Sequence, residues 1–246
     1  MIFVTGDTHA QFHRFNMGNF PEQKEMTRDD VVIICGDFGG IWYSDPKNRT
    51  ETYWLNWLEN KPFTVCFCDG NHENFDRLNA FPITQQFGAP VHQIRSNIFH
   101  LIRGNVYTIQ DKKFFVFGGA HSHDIRDGIL EQDDPRIKAW NKDPYKFFRI
   151  NHVSWWKEEV PSESEMKYAE TQLEKHHHMV DFIITHTPPS EVLFHMEYSS
   201  DDISNFLQYI AQTTRYTRWF CGHMHDNRYF PTCNTQLLYD GIIRVV

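Results

Sequence analysis

No apolar stretch in this 246-residue chain approaches the roughly 18 residues that a membrane-spanning helix requires. There is no basic excess either. The formal net charge is −8, so no cationic stripe offsets phosphate charge and tight non-specific nucleic-acid binding is not expected. Cysteine is scarce and odd in number, at five residues, and no second pair joins Cys66 and Cys68 at zinc-site spacing. Cys35, Cys66, Cys68 and Cys221 lie inside apolar runs, where a free thiol behaves as a small hydrophobe. Buried thiols in a reducing compartment are the expectation. The start, Met1-Ile2-Phe3-Val4, enters a strand at once and lacks the basic and apolar regions of a signal peptide, which points to the cytoplasm. Internal repeats, low-complexity tracts and long linkers are absent too, so a single domain over residues 1–246 is expected.

What the chain does have is short apolar runs, at Ile2–Thr5, Val31–Cys35, Phe63–Cys68, Phe114–Phe117, Phe182–Thr185 and Trp219–Cys221. They are continuous, which suits strands covered on both faces. Helical patterns lie between them. Thr50–Asn60 carries Tyr53, Trp54, Trp57 and Leu58 at helical spacing. Ser162 with Glu165 forms a capping box opening a helix towards His178. Asp201–Gln212 places Ile203, Phe206, Leu207 and Ile210 on one face. Strands alternating with helices define an α/β fold. Gln236–Tyr239 and Ile242–Val246 read as a hairpin around Asp240-Gly241. Residues 121–161 show no periodicity, and a loop of that length in a compact domain is read as a lid or specificity insertion.

Four motifs each follow an apolar run: Asp7-Thr8-His9, Gly36-Asp37, Gly70-Asn71-His72-Glu73 and Gly222-His223-Met224-His225. Thr185-His186 precedes the last of them. In open α/β sheets ligands bind beyond the carboxyl ends of strands, so five strands deliver metal-binding side chains to one edge. Each motif alone reads as a turn or a surface histidine. Together they form a mixed carboxylate, imidazole and amide set that suits Mn²⁺, Fe or Zn²⁺ better than Ca²⁺ or an iron–sulfur cluster. Two ions about 3.5–4 Å apart clamp a phosphoryl group. Set against Asp7 and Asp37, two divalent cations leave a positive site in an acidic protein, which attracts phosphate.

The order of these motifs, from Asp7 to His225, resembles the calcineurin-like metallophosphoesterases. The resemblance implies a four-layer α/β/β/α sandwich with mixed sheets and a dinuclear site at the strand ends. It implies that Asp7, His9 and His225 hold one ion, that Asn71, His186 and His223 hold the second, and that Asp37 bridges them. Mn²⁺ is the expected metal, with Fe, Zn²⁺ or Ni²⁺ as alternatives. His72 takes the role of general acid, with Glu73 tuning that region. The implied reaction is hydrolysis of phosphomonoesters or phosphodiesters by in-line attack of a metal-bound hydroxide. The implied substrate is a phosphorylated small molecule, a nucleotide or a phosphoprotein; oligomeric state is not legible.

There are departures. Ala10 stands where a glycine is common, and Gly36-Asp37-Phe38-Gly39-Gly40 lacks the Asp-Arg pair of phosphoprotein phosphatases. This weakens a Ser/Thr phosphatase reading. A non-catalytic scaffold would be expected to have lost ligands, and this chain keeps them all. Gly118-Gly119-Ala120-His121-Ser122-His123-Asp124, Phe147-Phe148-Arg149 and Trp155-Trp156 resemble small bacterial and phage-borne members of the superfamily, with Ile125–Lys146 as an insertion. Arg149 becomes the candidate phosphate-binding arginine, with Arg126 as its competitor. His121 and His123 are read as supporting or surface residues, and His176-His177-His178 as a structural helix end. Trp140, Trp155 and Trp156 are read as core before stacking platforms.

Overall fold

The computed structural model describes residues 1–246. In chain order its strands are β1 (Ile2–Thr5), β2 (Val31–Ile34), β3 (Thr64–Phe67), β4 (Ile83–Gln86), β5 (Ala89–Arg95), β6 (Ile98–Leu101), β7 (Asn105–Ile109), β8 (Lys112–Phe117), β9 (Gly128–Leu130), β10 (Phe148–Ile150), β11 (Phe182–Thr185), β12 (Arg218–Cys221), β13 (Arg228–Phe230), β14 (Thr235–Leu237) and β15 (Ile242–Arg244). The helices are α1 (Arg49–Glu59), α2 (Phe75–Leu78), α3 (Ile137–Trp140), α4 (Glu163–Lys175), α5 (Ser190–His195) and α6 (Asp202–Thr213). None is long and apolar enough to cross a membrane.

Two mixed sheets carry the chain. One runs β15-β1-β2-β3-β6-β5-β4 and the other β13-β14-β12-β11-β8-β7. The centre of each is parallel, with antiparallel strands at the edges. The continuous apolar runs are explained by alternation between two covered faces. Val4, Ile33 and Cys66 of the first sheet meet Val116, Ile184 and Phe220 of the second in one cluster. Phe3, Val32, Ile34 and Val65 face the opposite way, against Leu55 and Leu58 of α1. Phe115, Ile183 and Trp219 pack on Leu173, Leu207 and Ile210 of α4 and α6. These clusters fit helices outside two stacked sheets. Cys66 and Cys68 share the inter-sheet face; all five cysteines are free and all but Cys233 are buried.

Local signals at helix starts operate as the sequence indicates. The Ser162 hydroxyl accepts from Glu165 N, and the Glu165 carboxylate accepts from Ser162 N at 2.8 Å. Asp201 and Ser204 form the equivalent pair at the start of α6. The α4 helix stops at Lys175, and His177 and His178 adopt left-handed backbone angles. They close the helix.

The expected C-terminal hairpin does not form. β14 pairs with β12 and β13 in the second sheet, while β15 crosses to the first and pairs antiparallel with β1. Asn227 Oδ1 pins the crossing, accepting from Tyr239 N at 2.9 Å and Gly241 N at 3.1 Å. An Asp-Gly turn between two short apolar segments signals only a reversal. The open edge of β1 decides where the last strand goes.

Residues 121–161 are not structureless. β9 and β10 pair in parallel as a separate ribbon, with α3 between them. Trp156 anchors the far end in the outer core of the first sheet, and its indole Nε1 donates to Asp76 Oδ2 at 2.7 Å.

Candidate metal centre

Parallel register brings the strand ends level. Thr5 lies opposite Ile34, and Ile34 opposite Phe67, so Asp7, Asp37 and Asn71 leave the first sheet side by side. β11 and β12 bring His186, His223 and His225 from the second sheet. The polypeptide is strained where it turns into the site. His9, Asp37, His223 and His225 have φ of +43°, +45°, +68° and +50°, a region costing on the order of 1–3 kcal/mol per non-glycine residue. Close approach also demands glycine. A Cβ at Gly70 would collide with Asp37, and one at Gly222 with Asp7.

Hydrogen bonds hold the turns open in this shape. Asp37 Oδ1 accepts from His72 N at 2.8 Å, and Asp7 Oδ1 from His223 N at 2.9 Å. Glu73 Oε1 accepts from Phe38 N at 2.7 Å, tying the turn that carries Asp37. Arg14 braces the other side, donating to Asp7 O at 2.7 Å and Tyr239 O at 2.6 Å.

All seven expected ligands come together at this edge. His9 Nε2 lies 3.1 Å from His225 Nε2 and 3.5 Å from Asp37 Oδ2. His225 Nε2 is 3.3 Å from Asp7 Oδ2. His186 Nε2 is 3.0 Å from Asn71 Oδ1 and 3.5 Å from Asp37 Oδ1. The His223 ring sits 4.9 Å from that of His186. Asp7 with His9 and His225, and Asp7 with Asp37 and His186, each place their donor atoms within 4.8 Å of one another.

The donor chemistry fits a cation. His186 Nδ1 donates to Cys35 O at 2.8 Å, which leaves Nε2 as the free ring nitrogen. Asn71 Nδ2 donates to Ser122 Oγ at 3.2 Å, and that hydroxyl donates onward to Glu159 Oε2 at 2.8 Å. This network turns Asn71 Oδ1 towards His186. The two atoms stand 3.0 Å apart, a spacing that a proton on Nε2 or a metal ion between them satisfies. About 3 Å is also the separation of two ligands at right angles on an ion with bonds near 2.1 Å.

The electrostatics match. Burial works to raise the Asp7 carboxyl, but the His186 charge and hydrogen bonds from His225 and His223 hold it below the ordinary range. Burial opposes protonation of His186, and Asp37 and Asp7 overcome it, so His186 is raised. His225 is raised chiefly by its hydrogen bond to Asp7. Burial pushes His9 down, and it pushes His223 well down, helped by His186.

His72 stands at the rim, half-buried, its ring 5.5 Å from that of His9. Burial lowers its basicity first, and Arg149 and His9 add to this against Asp37. The Arg149 charge therefore reaches the site, while its guanidinium pairs with Asp124, Nε lying 3.0 Å from Oδ1. Arg126 does not approach; it donates to Tyr145 O and covers the Phe147 ring. His123 comes closer than its variable position suggested, with Nε2 3.0 Å from His223 Nε2 and rings stacked 5.0 Å apart. His121 instead faces Asp202 at 2.6 Å.

Several supporting residues escaped the sequence reading. Asp69, one step before Gly70, is buried against Arg103 and accepts from His100 Nε2 at 3.0 Å. Glu159 carries Ser122, and Arg14 carries the Asp7 backbone. Only Ser122 fell in a motif.

Histidines and carboxylates gathered at the carboxyl edge of parallel strands are the equipment of a metal-centred hydrolase. A family model described as calcineurin-like phosphoesterase matches residues 1–227, and the chain belongs to that family. A comparison with curated proteins finds no match. The family sets the general activity as phosphoester hydrolysis, acting on phosphorylated substrates.

Proposed function

We propose that this chain is a two-metal phosphoesterase acting on phosphomonoesters or phosphodiesters. Asp7, His9 and His225 would hold one ion, Asn71, His186 and His223 the other, with Asp37 shared. His186 Nε2 and Asn71 Oδ1 converge 3.0 Å apart beside Asp37, each fixed by a partner behind it, and this convergence carries the reading. Two divalent ions, Mn²⁺ being the expected pair, would neutralise the phosphoryl oxygens and supply a nucleophile at neutral pH.

The chain's own side chains do the rest. Asp37 and Asp7 supply the two carboxylates of the pocket. His72 donates a proton to the leaving oxygen from the rim. Its lowered basicity makes its imidazolium a stronger acid, and a bound phosphate dianion works the other way, favouring the charged ring. Arg149, held by Asp124 on the β9–β10 ribbon, lies on the His72 side and would steady a phosphoryl oxygen. We read residues 121–161 as a specificity insertion on that basis, within one functional unit spanning 1–246. The buried free thiols favour a reducing compartment, the cytoplasm.

The test is hydrolysis of phenyl and p-nitrophenyl phosphates, and of bis-p-nitrophenyl phosphate, with Mn²⁺. His72→Ala should lower kcat about 10²–10⁴-fold on phenyl phosphate. On p-nitrophenyl phosphate, whose leaving group needs no proton, the loss should be at least tenfold smaller. Equal losses on both would remove His72 from the acid role. No turnover with Mn²⁺, Ni²⁺, Fe²⁺ or Zn²⁺ would favour a scaffold.

A further inference from the structure

Beside the metal centre, and sharing His9 and His72 with it, lies a cleft of about 270 Å³. Trp42, Tyr43 and Trp54 line it, together with the backbone of Gly39 and Gly40. We infer that this cleft binds the leaving group of the phosphoester and selects a flat, uncharged aromatic one, a nucleoside or an aryl alcohol. The inference rests on the phosphoesterase reading and gives it a substrate class.

The location decides which part of the substrate enters. A general acid must lie within hydrogen-bond reach of the oxygen it protonates. His72 forms one wall of the cleft, and its ring lies 6.1 Å from that of Trp42. Whatever departs with that oxygen therefore departs into the cleft.

The walls decide its chemistry. Both indoles are fixed in advance. Trp54 meets His13 edge-on at 4.7 Å and Trp57 at 5.5 Å. Trp42 packs edge-on against Trp156 at 5.7 Å. Rigid aromatic walls bind flat rings with little ordering cost. Gly39 and Gly40 add only backbone to the lining.

Charge excludes other leaving groups. Neither lysine nor arginine lines the cleft. Its one carboxylate, Glu51, is already engaged, with Oε2 accepting from Trp42 N at 3.0 Å and Arg77 Nη1 at 2.9 Å. A leaving group bearing further phosphates would find no counter-charge there. The volume lies just under the roughly 300–1,000 Å³ of drug-sized sites, which suits one ring system and not a folded phosphoprotein surface.

The test compares esters of similar intrinsic reactivity. Adenosine 5′-monophosphate and β-glycerophosphate both release alkyl alcohols; 1-naphthyl and phenyl phosphates both release phenols. With Mn²⁺, kcat/KM should favour the adenosine ester over the glycerol ester by about tenfold or more, if a nucleoside is the leaving group. A preference for naphthyl over phenyl alone would assign the cleft to aryl alcohols. Trp54→Ala should narrow whichever ratio is present by about tenfold, mainly through KM, with Trp54→Phe restoring part of it. Calorimetric binding of free adenosine or 1-naphthol to metal-free protein should weaken in step. Ratios near one in both pairs, or ratios that Trp54→Ala does not move, would overturn the cleft's role while hydrolysis itself still stood. Absence of all hydrolysis would instead sink the phosphoesterase reading. The binding arm would then judge the cleft alone, and failure of both free alcohols to bind would overturn it.

Discussion

Asp37→Asn should lower kcat/KM by about a thousandfold or more, with the fold intact. Asp37 is buried and lies 3.5 Å from ring nitrogens on both sides, His9 Nε2 and His186 Nε2. Asp7 reaches the same two rings at longer range, 3.9 Å from His9 Nε2 and 3.8 Å from His186 Nδ1. Asparagine tolerates the left-handed backbone at this position, φ +45°, and its amide oxygen still accepts from His72 N. The substitution thus removes one negative charge and little else. Metal ions acting on a phosphoryl oxygen supply several kcal/mol of transition-state stabilisation, and losing about 4 kcal/mol of it when the carboxylate between them goes corresponds to the stated loss. Steady-state kinetics at saturating Mn²⁺, beside a thermal melt of both proteins, checks the outcome. Activity within tenfold of the parent would show that Asp37 is no bridge.

Arg103→Ala should destabilise the protein by about 3–5 kcal/mol, the usual result of stranding one member of a buried ion pair. Asp69 and Arg103 are both buried, with side chains 1% and 6% exposed. Burial alone would raise the Asp69 carboxyl, but the Arg103 charge and the His100 hydrogen bond hold it well below the ordinary range. A carboxyl depressed in this way stabilises the fold at every pH above its unfolded value near 3.9, and the contribution disappears as pH falls through the lower folded value. At neutral pH it is fully present. Arg103 Nη2 also donates to Glu158 O at 3.0 Å, and Asp69 O accepts from Gly119 N at 3.0 Å, so the pair ties the two sheets beneath the Asn71–Glu73 turn. Urea unfolding at pH 7 measures the loss, and the melting temperature should drop on the order of 10 °C. Arg103→Lys keeps the charge without the planar fork and should recover part of it. A loss under about 1 kcal/mol would mean that the turn is held by its backbone alone.

The strand ends were legible because a doubly covered strand must be apolar at every position. β1, β2 and β11 are buried at each residue, and their runs announce them. β4 alternates exposed and half-buried residues on a sheet edge, and β5 carries Pro90 and a bulge between Gln93 and Arg95; neither stands out from polar loop sequence. The candidate ligands stand out because metal chemistry restricts residue type. The residues that aim them do not. Arg14 reaches a carbonyl 225 positions away, and Glu159 reaches Ser122 across 37; nothing local to either residue signals such a partner. The crossing of β15 fails to show for the same reason, since a turn signal does not say which sheet edge is open. Arg149 stands between these cases, carried on the ribbon and paired to Asp124.

The most direct measurement of the central claim is anomalous diffraction from crystals of the protein equilibrated with Mn²⁺. Two peaks about 3.5–4 Å apart are expected, one against Asp7, His9 and His225, the other against Asn71, His186 and His223, with Asp37 between them. A single peak, or two peaks that do not share Asp37, would contradict the account.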